Sequence, residues 1–266
     1  MVSNEQAAAI LRRARAAGLD TLDTAMSYGT SEQTLGALGA DEWRVVTKLP
    51  ALPDGRTDVE AWAREATLDS LCRLNLNRVY GLLLHRPRDL LSAHGADLYA
   101  AMKQLKADGL VDRIGISIYA PSDLDELAGR YSFDIVQAPV SILDRRLQVS
   151  GWMRRLRDRG VEIHARSVFL QGLMLMAAEH RPPRFAQWQP LWAEWDAWLR
   201  HEGLSALEAC LRFVIGLPDV DRIVVGVDSL QQLDEILAVV PRGIDVPASL
   251  SSSDLDLIDP SRWNSQ

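Results

Sequence analysis

The chain has 266 residues, 47% of them hydrophobic, enough for one large α/β barrel or two smaller domains. Its formal charge of -7 argues against nucleic acid as the main partner, because a phosphate backbone needs a basic surface. Cys72 and Cys210 have no neighbouring cysteine or histidine at metal spacing, and MVSNEQAAAILRRARAAG lacks the apolar stretch of a signal peptide or membrane span, so a cytoplasmic protein with no disulfide framework, metal site or membrane partner is expected.

Apolar runs of strand length alternate with segments of helical period along the chain. Ser3 and Gln6 form a capping box ahead of a helix in which Ala7, Ile10, Leu11 and Ala14 fall at helical spacing, and Gly18 is placed to end it. A strand over residues 19–25, a short helix from Ser31, a strand over 43–49 and a helix opened by Thr57 with Glu60 follow. Next come a strand over 79–85, a helix over 98–107, the strand RIGISIY, a helix opened by Pro121 and Ser122, and the strand DIVQAPVS. A helix over 151–159 leads to the strand VEIHARSV and then to a long insertion. There Trp188, Trp192, Trp195 and Trp198 lie at helical spacing, a stripe suited to packing a helix, with a carbohydrate platform as the other reading. A helix opened by Ser205 with Glu208, the strand RIVVGV and a helix opened by Ser229 with Gln232 complete the pattern.

Continuous apolar strands joined by helices imply a parallel sheet covered by helices. Seven such units favour a single (β/α)8 barrel domain over residues 1–266 rather than an open sheet, and no Gly-rich dinucleotide fingerprint follows the first strand. An eight-stranded barrel needs one strand more than the seven that are readable. A first strand missing upstream is expected, with a natively gapped barrel as the alternative.

Three ionisable residues stand at the far ends of successive apolar runs, Asp23 closing LDTLD, Lys48 closing VVTK and His85 closing YGLLLH, while Tyr28 lies five positions past Asp23. In a strand–helix alternation the carboxyl ends of the strands share one face, so these four residues converge there. Taken singly, three of them have ordinary structural roles: a helix cap or strand-end turn for Asp23, a solvated strand end for Lys48, a core histidine for His85.

In order, the segments LDTAMSYGTSEQTLG, VVTKL, SLCRL followed by LLLH, LKADGLVDRIGISIY, DIVQAPVSILDRRL, ARSVFLQGL and VVGVDSLQQLDE resemble the aldo-keto reductase family. HARSVFLQG is similar to the bacterial branch found among sugar and cell-surface polysaccharide enzymes. The resemblance implies hydride transfer from a nicotinamide to the carbonyl of a small molecule, with Asp23, Tyr28, Lys48 and His85 as the catalytic tetrad. An isolated tyrosine titrates near about 10, so Tyr28 acts as general acid at neutral pH only where a cation such as the Lys48 ammonium stabilises its phenolate. Asp23 would hold that ammonium in place, and His85 would hydrogen-bond the carbonyl oxygen.

The same resemblance implies a dinucleotide site. Ser117 and Gln137 would take the carboxamide, with Ile118 where the family commonly has Asn, and Arg166 would stand where an aromatic platform commonly stacks. Ser167, Phe169 and Gly172 would meet the pyrophosphate, while Gly226, Ser229 and Gln232 border a helix start able to hold a phosphate. NADPH is the cofactor the family prefers, and NADH is its rival because Asp228 stands where a basic or small polar residue often meets the 2′-phosphate. Arg86, Arg88, Arg145 and Arg146 follow strand ends, as expected for an anionic substrate such as a sugar or nucleotide-sugar carbonyl, or for salt-bridged loops. Arg86 and Arg145 are the substrate-binding candidates. Two alternatives stand beside a reductase: a catalytically silent nucleotide-binding relative, and a lyase or aldolase with Lys48 as Schiff base.

Overall fold

In the computed structural model, which describes residues 2–263, Ser3 and Gln6 exchange the two hydrogen bonds of a capping box at the head of α1 (Asn4–Ala16). At its tail the Leu19 and Gly18 amides return to the Ala14 and Arg15 carbonyls. That turn requires a left-handed residue, which Gly18 supplies at φ 82°. The chain continues through β1 (Thr21–Asp23), α2 (Ser31–Ala37), β2 (Arg44–Leu49), α3 (Val59–Leu74), β3 (Val79–Leu84), α4 (Gly95–Ala107), β4 (Val111–Ser117), α5 (Pro121–Leu127) and β5 (Ile135–Pro139). After α6 (Arg146–Val149) and α7 (Trp152–Asp158), β6 (Glu162–Arg166) leads through 3-10 turns to α8 (Gln189–Glu202) and α9 (Ala206–Ile215). Next, β7 (Arg222–Ile223) precedes α10 (Leu230–Leu237) and α11 (Leu255–Ile258). The strands stand in chain order in the sheet and pair in parallel, the topology of a (β/α)8 barrel with seven strands among the described residues.

Three local expectations are corrected. The capping box at Thr57 and Glu60 does not open α3; Asp58 occupies the cap, and its carboxylate pairs with Arg56 at 2.6 Å instead of bonding the helix. The first strand is three residues long, although its ladder continues through Thr24 to Val46 and Met26 to Lys48. Of RIVVGV, two residues form β7.

The chain separates into two compact units, Met1–Gln137 with Gly160–Glu162 and Asp228–Leu230, and Ala138–Arg159 with Ile163–Val227 and Gln231–Gln266. In the first, Val46, Leu83 and Ile135 form a buried cluster against which Tyr80 packs. Gly115 is obligatory here, because a Cβ on β4 would overlap the Ile135 carbonyl of β5.

In the second unit, β6 pairs with β7 through His164 and Arg222, and Ser205 and Glu208 cap α9 reciprocally, as expected. Trp192 and Trp195 are buried, the Trp192 indole donates to the Phe185 carbonyl at 3.0 Å, and Trp195 stacks on Trp198. The tryptophan stripe therefore packs a helix, because its middle rings are covered. Cys210 is buried in α9, and burial pushes its thiol well above the ordinary range, whereas Cys72 is exposed. A thiol-directed maleimide is expected to add one label to the native protein and a second only after unfolding. Two labels added at equal rates natively would contradict this packing. Among the described residues, no helix is long and apolar enough to cross a membrane, and no group of three or more His, Cys, Asp or Glu is placed to hold a metal.

Candidate active site

Parallel register brings the expected catalytic residues together in the first unit. Asp23 ends β1 opposite Val46, and Lys48 lies two residues further along β2, opposite Leu83 of β3, which His85 follows. The Lys48 side chain is 1% exposed, and a buried ammonium is tolerated only when paired and hydrogen-bonded. Its Nζ donates to Asp23 Oδ1 at 2.6 Å and to the Thr24 carbonyl at 2.9 Å. The Tyr28 ring centroid lies 5.4 Å from that Nζ, within cation–π range. The edge-on His85 ring is 5.7 Å from the Tyr28 ring. Tyr28 is 48% exposed, so the buried charge has a solvent-facing phenol beside it.

The second Asp23 oxygen, Oδ2, accepts from Gln137 Nε2 at 2.7 Å, and Gln137 Oε1 accepts from Ser117 Oγ at 3.3 Å. Ser117 and Gln137 are register partners on β4 and β5, and both are buried. Next to them Ile118 is wholly buried and brings no polar side-chain atom. Sequence reasoning found each of these residues but not the bond that joins Gln137 to Asp23. It also missed Ser27, whose Oγ lies 3.2 Å from His85 Nδ1; the available signal was a hydroxyl directly before Tyr28.

A further carboxylate anchors α2, the helix that follows the loop carrying Tyr28. Glu32, buried in α2, accepts from Thr47 at 2.7 Å, Ser70 at 2.6 Å, and Arg73 Nε at 2.8 Å, and pairs with Arg73 Nη2 at 2.7 Å. Thr47 directly precedes Lys48, so one carboxylate ties α2 to β2 and α3.

The four arginines differ. Arg86 Nε bonds Asp89 Oδ1 at 2.5 Å, while Asp89 Oδ2 accepts from the Leu52 amide at 2.8 Å, so the guanidinium is ion-paired within its own loop although the side chain is 54% exposed. Arg88 reaches Glu126 at 3.4 Å. In the second unit, Arg145 donates to the carbonyls of Ile142, Val246, Pro247 and Leu250 and lies over the Phe213 ring, and its burial lowers its pKa. That engages four of a guanidinium's five N–H donors with main chain. The Arg146 guanidinium donates to both Asp144 oxygens, at 2.8 and 2.7 Å, and its backbone amide donates to Oδ1 at 3.2 Å.

After β6, Arg166 Nη1 donates to Ser167 Oγ at 3.1 Å. The loop then holds Ser167, Leu170 and Gln171 at φ 58°, 45° and 54°, with Gly172 at 84°. Left-handed backbone at residues other than glycine costs roughly 1–3 kcal/mol each, and such strain clusters at ligand clamps. The loop is closed by Leu170 to Ser167, Met174 to Phe169 and Leu175 to Gly172 backbone bonds. Gly226 and Gln232 are exposed in this unit; Ser229, in the first unit, directly precedes α10.

The model of the aldo/keto reductase family matches residues 1–246. D-threo-aldose 1-dehydrogenase from a Pseudomonas species is 28% identical over a 297-residue alignment that covers 94% of this chain and 87% of that protein. Methylglyoxal reductase DkgA of Escherichia coli strain K12 is 29% identical over 130 residues, 47% of this chain and 45% of that protein. The holo form of aldo-keto reductase AKR11C1 from Bacillus halodurans has a TM-score of 0.73 at 22% identity, covering 94% of this chain and 86% of that one, a likeness of fold.

Proposed function

The chain belongs to the aldo-keto reductase family and is an oxidoreductase, and from that premise we propose that it reduces a small aldehyde or ketone to the alcohol with NAD(P)H, Tyr28 serving as general acid. The observation that carries this reading is the buried Lys48 ammonium, held by Asp23 and the Thr24 carbonyl beside the exposed Tyr28 phenol. When bound, the reduced nicotinamide supplies a hydride to the carbonyl carbon. Tyr28 gives its hydroxyl proton to the carbonyl oxygen, and Lys48 stabilises the phenolate left behind. Asp23 keeps the ammonium charged and aimed, and His85, steadied by Ser27, orients the carbonyl oxygen.

The residues present fit a dinucleotide. The Gln137 amide, after its bonds to Asp23 and Ser117, keeps one N–H and one lone pair of the kind a carboxamide matches. Arg166, Ser167, Phe169 and Gly172 on the strained loop, with Gly226, Ser229 and Gln232, are assigned to the rest of the dinucleotide. NADPH is the proposed donor, and exposed Asp228 keeps NADH beside it, since a carboxylate repels a 2′-phosphate and accepts from a ribose hydroxyl.

For the substrate we favour a sugar or nucleotide-sugar carbonyl. Supporting this is the relative named as an aldose dehydrogenase; Arg86, next to His85 and half exposed, is a candidate for the substrate although its guanidinium pairs with Asp89. Arg145 is the weaker candidate, given its carbonyl partners. The test is consumption of NADPH and NADH against a panel of sugar aldehydes and ketones. Carbonyl-dependent oxidation of either dinucleotide is expected. Quenching of tryptophan fluorescence by dinucleotide, with no turnover across the panel, would instead favour a silent nucleotide-binding protein.

A further inference from the structure

Hydrogen-bond chemistry fixes how Gln137 faces Asp23. An ionised carboxylate only accepts, so the 2.7 Å contact has Gln137 Nε2 as donor, and the Gln137 oxygen must then face Ser117 Oγ at 3.3 Å. Turning the amide over would set its oxygen against Asp23 Oδ2, two acceptors face to face, whereas the Ser117 hydroxyl accepts as readily as it donates, so Asp23 alone decides the orientation. Asp23 thus receives Lys48 from β2 on one oxygen and Gln137 from β5 on the other. The terminal torsion of an aspartate is soft and roughly two-fold, so one partner alone leaves the carboxylate plane free to turn. A second anchor on another strand removes that freedom.

We propose that Gln137 is a positioning residue for Asp23, so that one buried amide links the nicotinamide contact to the Lys48 ammonium that tunes Tyr28. This deepens the reductase reading and rests on it. The charged and titratable groups in this network are Lys48, bonded to Asp23, then Tyr28 beside Lys48, and His85 beside Tyr28. Gln137 belongs to the network through the carboxylate, and its effect on the proton step is therefore indirect.

Two independent contacts would act multiplicatively on cofactor affinity, whereas groups that work through one another do not. The experiment is a double-mutant cycle with NADPH as probe, read by quenching of tryptophan fluorescence in the parent, Gln137→Leu, Asp23→Ala and the double variant. If Gln137 acts with Asp23, the double variant loses less affinity than the product of the single losses, by about tenfold, within the range typical of coupled neighbours. Multiplicative losses overturn the proposal. Maleimide protection of Cys210 checks that each variant is folded.

Gln137→Glu provides a second measurement with nearly unchanged shape. Its introduced carboxylate faces Asp23 with no donor, so NADPH binding is expected to be weaker than in Gln137→Leu near neutral pH. It should recover as the pH falls and the new carboxyl takes up a proton to donate, as paired carboxyls do. A loss of affinity equal at every pH would overturn the assignment.

Turnover separates the two readings. At saturating NADPH, kcat of Gln137→Leu is expected to fall by about tenfold or more, since a misplaced catalytic group is costly even when substrate is bound. A kcat restored to the parent value at saturation would reduce Gln137 to a cofactor contact and overturn the proposal. Should the parent bind NADPH but reduce no carbonyl, the reductase reading fails while the cycle and the Gln137→Glu profile still decide the link.

Discussion

Replacing Tyr28 by Phe is expected to lower carbonyl-dependent oxidation of the dinucleotide by about 10²- to 10⁴-fold, the usual worth of a positioned general acid, while leaving dinucleotide binding in place. The substitution deletes one hydroxyl and little else. The ring still stands 5.4 Å from Lys48 Nζ and keeps its edge-on contact with His85 at 5.7 Å, so the aromatic contacts to the ammonium and the imidazole persist. A drop in kcat with unchanged nucleotide affinity therefore reports the proton and not the shape of the site. Full turnover in Tyr28→Phe would remove the phenol from the mechanism and leave His85 as the remaining proton donor beside the buried ion pair.

Glu32→Ala is expected to destabilise the protein by about 2–4 kcal/mol, because two buried hydroxyls lose their acceptor at roughly 1–3 kcal/mol each and the partly exposed Arg73 loses its partner. Four bonds converge on that carboxylate, from Thr47, Ser70 and two nitrogens of Arg73, and Ala accepts none of them. The Thr47 and Ser70 hydroxyls are in buried residues, so water does not readily replace the lost acceptor. Urea unfolding of parent and variant measures the difference. The loss should extend to activity in the folded fraction, because α2 begins directly after the Tyr28 loop and Thr24 Oγ1 bonds Ser31 Oγ at 3.0 Å across it. A loss below about 1 kcal/mol would place Glu32 among ordinary surface substitutions and move the anchoring of α2 elsewhere.

The chain's own order of residues was sufficient for the helix ends at Ser3, Gly18 and Ser205, for the order of the strands though not the extents of β1 and β7, and for the meeting of Asp23, Tyr28, Lys48 and His85. These are short-range matters: a cap satisfies amides within one turn, and parallel strands in chain order bring their carboxyl ends to one face. The same local logic misjudged Thr57, because a neighbouring Asp58 competes for the cap position and Arg56 then takes its carboxylate. Tertiary structure alone decided the partners. Gln137 reaches Asp23 across 114 positions, Arg145 finds carbonyls 101 to 105 residues away, and Glu32 collects donors from two other elements. A hydrogen bond to a distant side chain depends on which strand lies alongside and how far each residue stands along it, and neither is encoded in the residues adjoining either partner.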